Sequence, residues 1–273
     1  MAVVHVTDWT SFKEAVQVAD NEVIVDNDII CDEFNATFGW SCAKVDGNDH
    51  AIYNLQSTYD GAEFSSYTTA LQVNKLHFLN FAFYGNSNSG IFTHTSYGSK
   101  YFVFNDCKFQ GMTTKGLFGD GCDLNRCSIT LTQCRAFIAN AGQHQNIMHE
   151  CWVDLGKCTP KSNDYTICFA DTYNCYFKGT IIANEGDNTA NGRGLNFIRG
   201  SIYNTIFNCY VRSDNNHTFV LKRNDATPDT TSIYNTSRIG DGVDFYHAGW
   251  AELTDAELKT ASAVAATGFP IIV

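Results

Sequence analysis

Four aspartates are the residues of this chain best placed to do chemistry. Asp120 and Asp123 lie in the segment Gly119-Asp-Gly-Cys-Asp123, and Asp154 and Asp171 follow at intervals that a stacked chain could bring together. Enzymes that hydrolyse glycosidic bonds with two carboxyl groups hold these groups roughly 5–10 Å apart. The four aspartates are therefore candidates for a catalytic pair, and ordinary turn formation is the alternative explanation of the same residues.

Histidine and cysteine do not show the spacing of a metal site. His144 and His149 have no cysteine or acidic partner at ligand spacing, so the sequence favours packing roles for both. The eleven cysteines include no Cys-x-x-Cys pair. No phosphate-binding loop, dinucleotide fingerprint or nucleophile elbow occurs either. We therefore expect no metal and no cofactor, and we expect free thiols that serve as small buried apolar groups.

The composition limits the possible partners. A net charge of −11 argues against nucleic acid, since phosphate binding requires clustered Lys and Arg. No apolar run approaches the length of about 20 residues that a bilayer-spanning helix needs. The first eight residues also lack the basic and apolar regions of a signal peptide. These features predict neither membrane insertion nor secretion by a leader.

A six-residue unit recurs down the middle of the chain. Its central residues, at positions 81, 107, 127, 151, 175 and 209, are 26, 20, 24, 24 and 34 residues apart. The central residue and the residue two places later are apolar, as in a strand with one buried face. The residue three places earlier is usually apolar too, which requires a bend in between. Asparagine accepts the left-handed conformation that such a bend needs. The asparagines at this bend are Asn80, Asn105, Asn125, Asn174 and Asn208.

A second series of short strands runs out of phase with the first. Its members are Gly90–Phe92, Gly116–Phe118, Ala136–Ile138, Ile167–Phe169, Asn196–Ile198 and Phe219–Leu221. Several strands per repeat without intervening helices predict an all-β parallel β-helix of about seven or eight coils, stacked at about 4.8 Å. The central cysteines Cys107, Cys127, Cys151, Cys175 and Cys209 would then form one column in the core. A β-sandwich is the alternative, but it leaves the recurring Asn-x-Cys corner unexplained.

Both ends of the chain carry helix signals, and a solenoid needs caps at its ends. Trp9, Phe12, Val16 and Ala19 form one helical stripe over residues 8–19, with Thr7 or Asp8 as the N-cap. Thr254 and Glu257 form a capping box that starts a second helix. We therefore divide the chain into a β-helix with its N-terminal cap over residues 1–250 and a C-terminal helix with an apolar tail over residues 251–273.

The C-terminal segment is predicted to cap the last coil or to join subunits. An Ala-rich helix face permits close approach, and the tail is apolar to its last residue. The candidates for contact between subunits are Trp250, Leu258, Ala261, Phe269 and Ile271.

The segment Val45-Asp-Gly-Asn-Asp-His-Ala-Ile-Tyr-Asn-Leu55 and the Asn-x-Cys-x-Phe corners resemble the pectate-lyase-like superfamily. The resemblance covers residues 8–245 and implies a right-handed parallel β-helix. Lyases of this superfamily use calcium-binding acids and an arginine, and Arg193 and Arg199 could line one face here. Solvated arginines are the alternative. The Asn-Thr-Asp, Asp-Asp, Gly-His-Gly and Arg-Ile-Lys motifs of the polygalacturonases are absent.

The ending Leu253-Thr-Asp-Ala-Glu-Leu-Lys259, followed by Gly268-Phe-Pro-Ile271, resembles phage and prophage β-helix appendage proteins. This resemblance implies a non-enzymatic structural protein of a virion or surface, such as a phage tail, fibre or capsid-associated component. It would assemble in the host cytoplasm as a homo-oligomer, by our expectation a trimer, with other virion proteins and possible surface glycans as partners. A β-helix that binds or degrades polysaccharide is the alternative function.

Overall fold

The computed structural model describes residues 2–67, 70–86, 90–94, 102–119, 121–138, 146–160, 170–183, 195–198, 201–213, 217–222, 232–235, 243–246 and 250–261. These residues contain 28 β-strands and two α-helices, numbered below in chain order. Every pairing between the described strands is parallel. The predicted parallel β-helix is confirmed.

Three long sheets run along the stack. Sheet A consists of β1 (Val3–Val6), β2 (Glu22–Val25), β5 (Lys44–Asp46), β9 (Leu71–Asn74), β12 (Phe102–Asn105), β15 (Cys122–Asn125), β18 (Asn146–His149), β20 (Ala170–Tyr173) and β23 (Ile202–Tyr203). Sheet C consists of β4 (Phe38–Trp40), β8 (Phe64–Ser66), β11 (Gly90–His94), β14 (Gly116–Phe118) and β17 (Ala136–Ile138). Later in the chain, β22 (Leu195–Ile198), β25 (His217–Lys222) and β27 (Val243–Tyr246) pair in this order as three neighbouring strands.

Sheet B is the longest and orders its strands one coil after another. Its strands are β3 (Ile29–Ile30), β6 (Ala51–Tyr53), β10 (His77–Phe83), β13 (Lys108–Thr113), β16 (Ser128–Cys134), β19 (Trp152–Cys158), β21 (Tyr176–Ala183), β24 (Ile206–Ser213), β26 (Ile233–Asn235) and β28 (Ala251–Leu253), with β7 (Gln56–Ser57) beside β10. The ten successive strands exceed the seven or eight coils expected, because the repeated sequence unit does not extend to the short strands at both ends.

In two coils, the bend between sheets A and B lies one residue later in the chain than the sequence predicted. Asp106 and Arg126 have the left-handed conformation, with φ of 56° and 52°, whereas Asn105 and Asn125 precede the bend. These two asparagines are the last residues of β12 and β15. They hydrogen-bond to each other, with Asn125 Nδ2 donating to Asn105 Oδ1 at 3.0 Å. Asn174 occupies the bend as predicted, with φ of 54°.

The other two predicted bend residues lie elsewhere. Asn80 is left-handed, with φ of 56°, but it forms a bulge inside β10. Asn208 lies within β24, buried, and donates to the hydroxyl of Tyr176 at 3.0 Å. The residue after each bend faces the core. The alternation of apolar residues therefore predicted the position of the bend better than the asparagines did.

The predicted cysteine column is confirmed for four coils. Cys107, Cys127, Cys151 and Cys175 are buried one coil apart. Each thiol donates to a carbonyl oxygen of the preceding coil, as Cys127 does to Phe104 at 3.4 Å. Cys209 is not in this column. Thr205 takes the next level and bonds to Thr172, because Ile202-Tyr-Asn-Thr205 is the true counterpart of Thr172-Tyr-Asn-Cys175.

The N-terminal helix α1 (Trp9–Val16) caps the stack as predicted. Asp8 is its N-cap and accepts from the backbone of Ser11, and Trp9, Phe12 and Val16 are buried in the core. The helix ends before Ala19, which is exposed. It contacts β1, β2 and β4. Strand β1, which precedes the helix, adds a level to sheet A that the sequence reading did not include.

The C-terminal helix α2 (Asp255–Thr260) begins at the predicted capping box of Thr254 and Glu257. It lies against the outer face of sheet B near its last strands. Leu258 is fully buried there in a small cluster with Tyr176, Ile206 and Ile233. The helix therefore covers an apolar strip on the side of the stack.

Candidate functional site

Two of the predicted catalytic carboxylates share one column on the outer face of sheet A. Asp123 and Asp171 flank Ile147, and the three lie on consecutive strands in register. Two coil spacings separate the aspartates, so their α-carbons are about 10 Å apart. The exposed side chain of Ile147 lies between them. The stack therefore brings Asp123 and Asp171 to one face, as predicted, but not into direct contact.

Each of these carboxylates is bonded to the backbone of the next coil. Asp123 Oδ1 accepts from the backbone N–H of Ile147 at 3.0 Å, and Asp171 Oδ1 accepts from that of Ser201 at 2.5 Å. Burial raises the pKa of Asp123 to about 6, against the lowering effect of this hydrogen bond. Asp28 binds the N–H of Ala51 in the same way at 3.0 Å. These aspartates therefore link successive coils.

Asp154 belongs to a different face. It lies in β19 of sheet B, where Lys178 approaches its carboxylate at 3.1 Å and the N–H of Gly156 donates to it at 3.0 Å. Asp154 cannot join Asp123 and Asp171 in one site, because the two sheets face different directions. Asp120, Arg193 and Arg199 lie outside the described residues.

The predicted subunit contacts are partly occupied within the chain. Leu258 is buried under its own helix, and Trp250 is buried against Phe207, with ring centroids 6.5 Å apart. Ala261 lies half-buried at the edge of the Leu258 cluster. Phe269 and Ile271 fall outside the described residues. Leu258 and Trp250 thus stabilise the last coils and are not presented to a second copy.

A buried ion pair, which was not predicted from the sequence, joins two distant segments of the chain. Lys115 Nζ contacts a carboxylate oxygen of Glu63 and donates to the carbonyl oxygens of Tyr59 at 2.7 Å and Gly61 at 2.6 Å. Both charged side chains are fully buried. Burial raises the pKa of Glu63 to about 7, although Lys115 acts in the opposite direction. The two residues are 52 positions apart, and no local pattern marks either one.

A shallow groove on the outer face of sheet B also escaped the sequence reading. Its volume is about 450 Å³. It is lined by Tyr53, Leu79, Asn80, Phe81, Ala82, Gln110, Gly111, Met112, Thr130 and Thr132. None of these lining residues carries a charge. We call this feature the sheet B groove.

The groove follows from a backbone irregularity. The bulge at Asn80 shifts the register between β10 and β13, which separates the outer side chains into two columns. Next to the bulge, Gly111 pairs with the buried Phe81, and a β-carbon there would lie 2.3 Å from the carbonyl oxygen of Phe81. A bulge and a glycine in register could not be recognised before the strands were aligned.

Within the described residues, no group of three or more His, Cys, Asp or Glu side chains could hold a metal ion. The ring of His149 lies near that of Tyr173, with centroids 6.1 Å apart. His144 falls outside the described part of the chain. Among the helices described, none has the length and apolar character needed to cross a membrane.

Comparison with known proteins adds no relative. No protein-family model matches the chain, and no curated protein and no solved structure matches it. The class of the protein, a parallel β-helix, therefore rests on the strand pairing described above.

Proposed function

We propose that the protein is a non-enzymatic structural component of a virion or surface appendage, in a tail, fibre or capsid-associated position. One observation carries this proposal. The described aspartates that could have formed a catalytic pair, Asp123 and Asp171, each bind the backbone of the next coil. Such bonds stabilise the stack, and the exposed side chain of Ile147 lies between the two aspartates.

The N-terminal end of sheet B supports the assembly part of the proposal. Strand β3 is the edge of this sheet, and α1 packs on the edge strands of sheets A and C. Beside the β3 edge, Ile30 is 66% exposed and Phe34 is 62% exposed. Exposed apolar residues on an edge strand are typical of a surface that other chains cover.

Two measurements test this function. Purified protein is incubated with host capsule and with pectin-type polysaccharides, and we expect neither new reducing ends nor unsaturated products. Light scattering at tens of micromolar should show a homo-oligomer, and Ile30→Lys together with Phe34→Lys should reduce its mass. Release of sugar products would contradict the non-enzymatic function, and a wild-type monomer would contradict the assembly part.

A further inference from the structure

The sheet B groove has the chemistry of a site for an uncharged, hydroxyl-rich polymer. One wall follows the register Tyr53, Leu79, Gln110 and Thr130 across four consecutive strands. The other wall includes Ala82 and Met112, which are paired in adjacent strands. With neighbouring strands about 4.8 Å apart, the groove is about 14 Å long. This length suits an extended chain better than a compact small molecule.

The groove combines apolar surface with unused polar groups. Leu79 and Met112 are half-buried, and Phe81, which is almost completely buried, also lines the groove. Within the described chain, the side chains of Gln110 and Thr130 have no hydrogen-bond partner. An amide and a hydroxyl both donate and accept hydrogen bonds, which matches the hydroxyl groups of a sugar. The apolar walls and Tyr53 match the C–H faces of sugar rings.

Charge decides which class of polymer fits. The protein carries a net charge of −11, and no cation lines the groove to attract an anionic chain. Lys178, near the end of the same face, is bound to Asp154 at 3.1 Å. An acidic polysaccharide would therefore be repelled by the protein without a compensating contact. We propose that the sheet B groove binds a neutral glycan, a binding function beyond the structural one proposed above.

The test is affinity electrophoresis of the full chain in gels that contain dextran, galactomannan, xylan or polygalacturonate. We expect at least one of the three neutral polymers to retard the wild-type protein, and polygalacturonate not to. Gln110→Glu changes an exposed amide to a carboxylate of the same shape, and Thr130→Arg fills the groove. Each variant should weaken the apparent affinity about tenfold or more, a loss of about 1.4 kcal/mol.

Matched controls lie on a different sheet. Tyr203 is exposed on the outer face of sheet A, so Tyr203→Glu and Tyr203→Arg add the same charges away from the groove. Both should migrate like the wild type in neutral polymer, and thermal unfolding checks that all four variants fold. The inference is overturned if none of the neutral polymers retards the protein, or if polygalacturonate does so as strongly. Equal effects of the Tyr203 and groove variants would also overturn it.

Light scattering separates the groove from the assembly surface. If a second copy of the chain occupies the groove instead, the Thr130→Arg variant should no longer form the oligomer that the wild type forms. That result would overturn glycan binding and leave the structural function standing. Loss of the oligomer in the Ile30 and Phe34 variant, with glycan retardation intact, would instead support both proposals.

Discussion

Arg126 donates two hydrogen bonds to Asp106, the residue at the same bend one coil earlier. The distances are 2.7 Å from Nε to Oδ1 and 2.8 Å from Nη2 to Oδ2. Lys75 occupies this bend in the coil before Asp106 and Glu150 occupies it in the coil after Arg126, all with positive φ. The signs of charge therefore alternate up the corner. Since a left-handed bend costs a non-glycine residue about 1–2 kcal/mol, the ladder offsets part of this cost.

We expect Asp106→Lys to destabilise the protein by about 1 kcal/mol, and more at low salt, because it places a third cation between Lys75 and Arg126. Combining Asp106→Arg with Arg126→Asp tests the ladder beyond one pair. The introduced cation then faces Lys75 and the introduced carboxylate faces Glu150, so stability should not return. Urea denaturation at two salt concentrations measures both effects. Full recovery in the double variant would show that only the isolated pair matters.

The buried Lys115–Glu63 pair should respond strongly to the loss of one partner. Lys115→Met leaves a carboxylate buried without its cation, and we expect a loss of about 3–5 kcal/mol in the free energy of unfolding. Adding Glu63→Leu should recover much of this loss. Lys108→Met is the matched control, since Lys108 is exposed at the start of β13. A loss below 1 kcal/mol for Lys115→Met would contradict the role assigned to this pair.

Asp123 predicts a dependence of stability on pH. Its pKa rises from 3.8 to about 6 in the folded protein, so the folded state binds the proton more tightly than the unfolded state. The stabilisation that results from this tighter proton binding is complete below pH 3.8, and it is lost as the pH rises through about 6.

Asp123→Asn keeps an oxygen that can accept from Ile147 and removes the ionisation. We therefore expect the variant to gain stability relative to the wild type as the pH rises from about 4 to about 7. Thermal melts across this range measure the difference. Asp123→Ala is the comparison that removes the acceptor as well, at a cost of about 1–3 kcal/mol. A difference that does not change with pH would rule out the raised pKa as its source.

The fold could be predicted because its signals are repeated. The column of Cys107, Cys127, Cys151 and Cys175 was recognisable because buried residues recur at each coil, whatever the loops between them do. The last copy failed for a specific reason. The segments Ile202–Thr205 and Ile206–Cys209 both fit the repeated four-residue pattern. Only the strand pairing shows that Thr205 follows the bend at Asn204.

The site features could not be predicted in the same way. Lys115 reaches Glu63 across two coils, which depends on loop lengths that one sequence does not reveal. The sheet B groove depends on the placement of the Asn80 bulge beside Gly111. The aspartates were found from their residue type, but their hydrogen bonds to the next coil depend on the register. Contacts between coils therefore cannot be predicted from one sequence until the register of the coils is known.

The free-thiol prediction has a direct measurement. All ten described cysteines are buried, and burial raises the pKa of Cys31 to about 11 and of Cys42 to about 12. Since the thiolate is the reactive form, these thiols should react very slowly in the native protein. Thiol counting under denaturing, non-reducing conditions should return close to eleven. Three or fewer would contradict both the column of thiols and their reduced state.

The contact of Leu258 with Tyr176, Ile206 and Ile233 changes what a C-terminal truncation is expected to do. Leu258 is fully buried against the side of sheet B, so Leu258→Ala should cost about 2–5 kcal/mol of unfolding free energy. Removing the chain from Thr254 onward would expose the same apolar strip, and we expect a lower melting temperature and aggregation. Lys259→Ala, on the exposed side of the helix, is the control and should change little.

Circular dichroism melts and light scattering of the same samples distinguish a stabilising helix from an assembly element. If the helix mainly covers its own sheet, Leu258→Ala lowers the melting temperature while the oligomer mass at low temperature stays that of the wild type. If the truncated chain instead keeps its melting temperature and only loses its oligomers, the helix joins subunits. The burial of Leu258 within one chain favours the first result, because its side chain has no surface left to offer a partner.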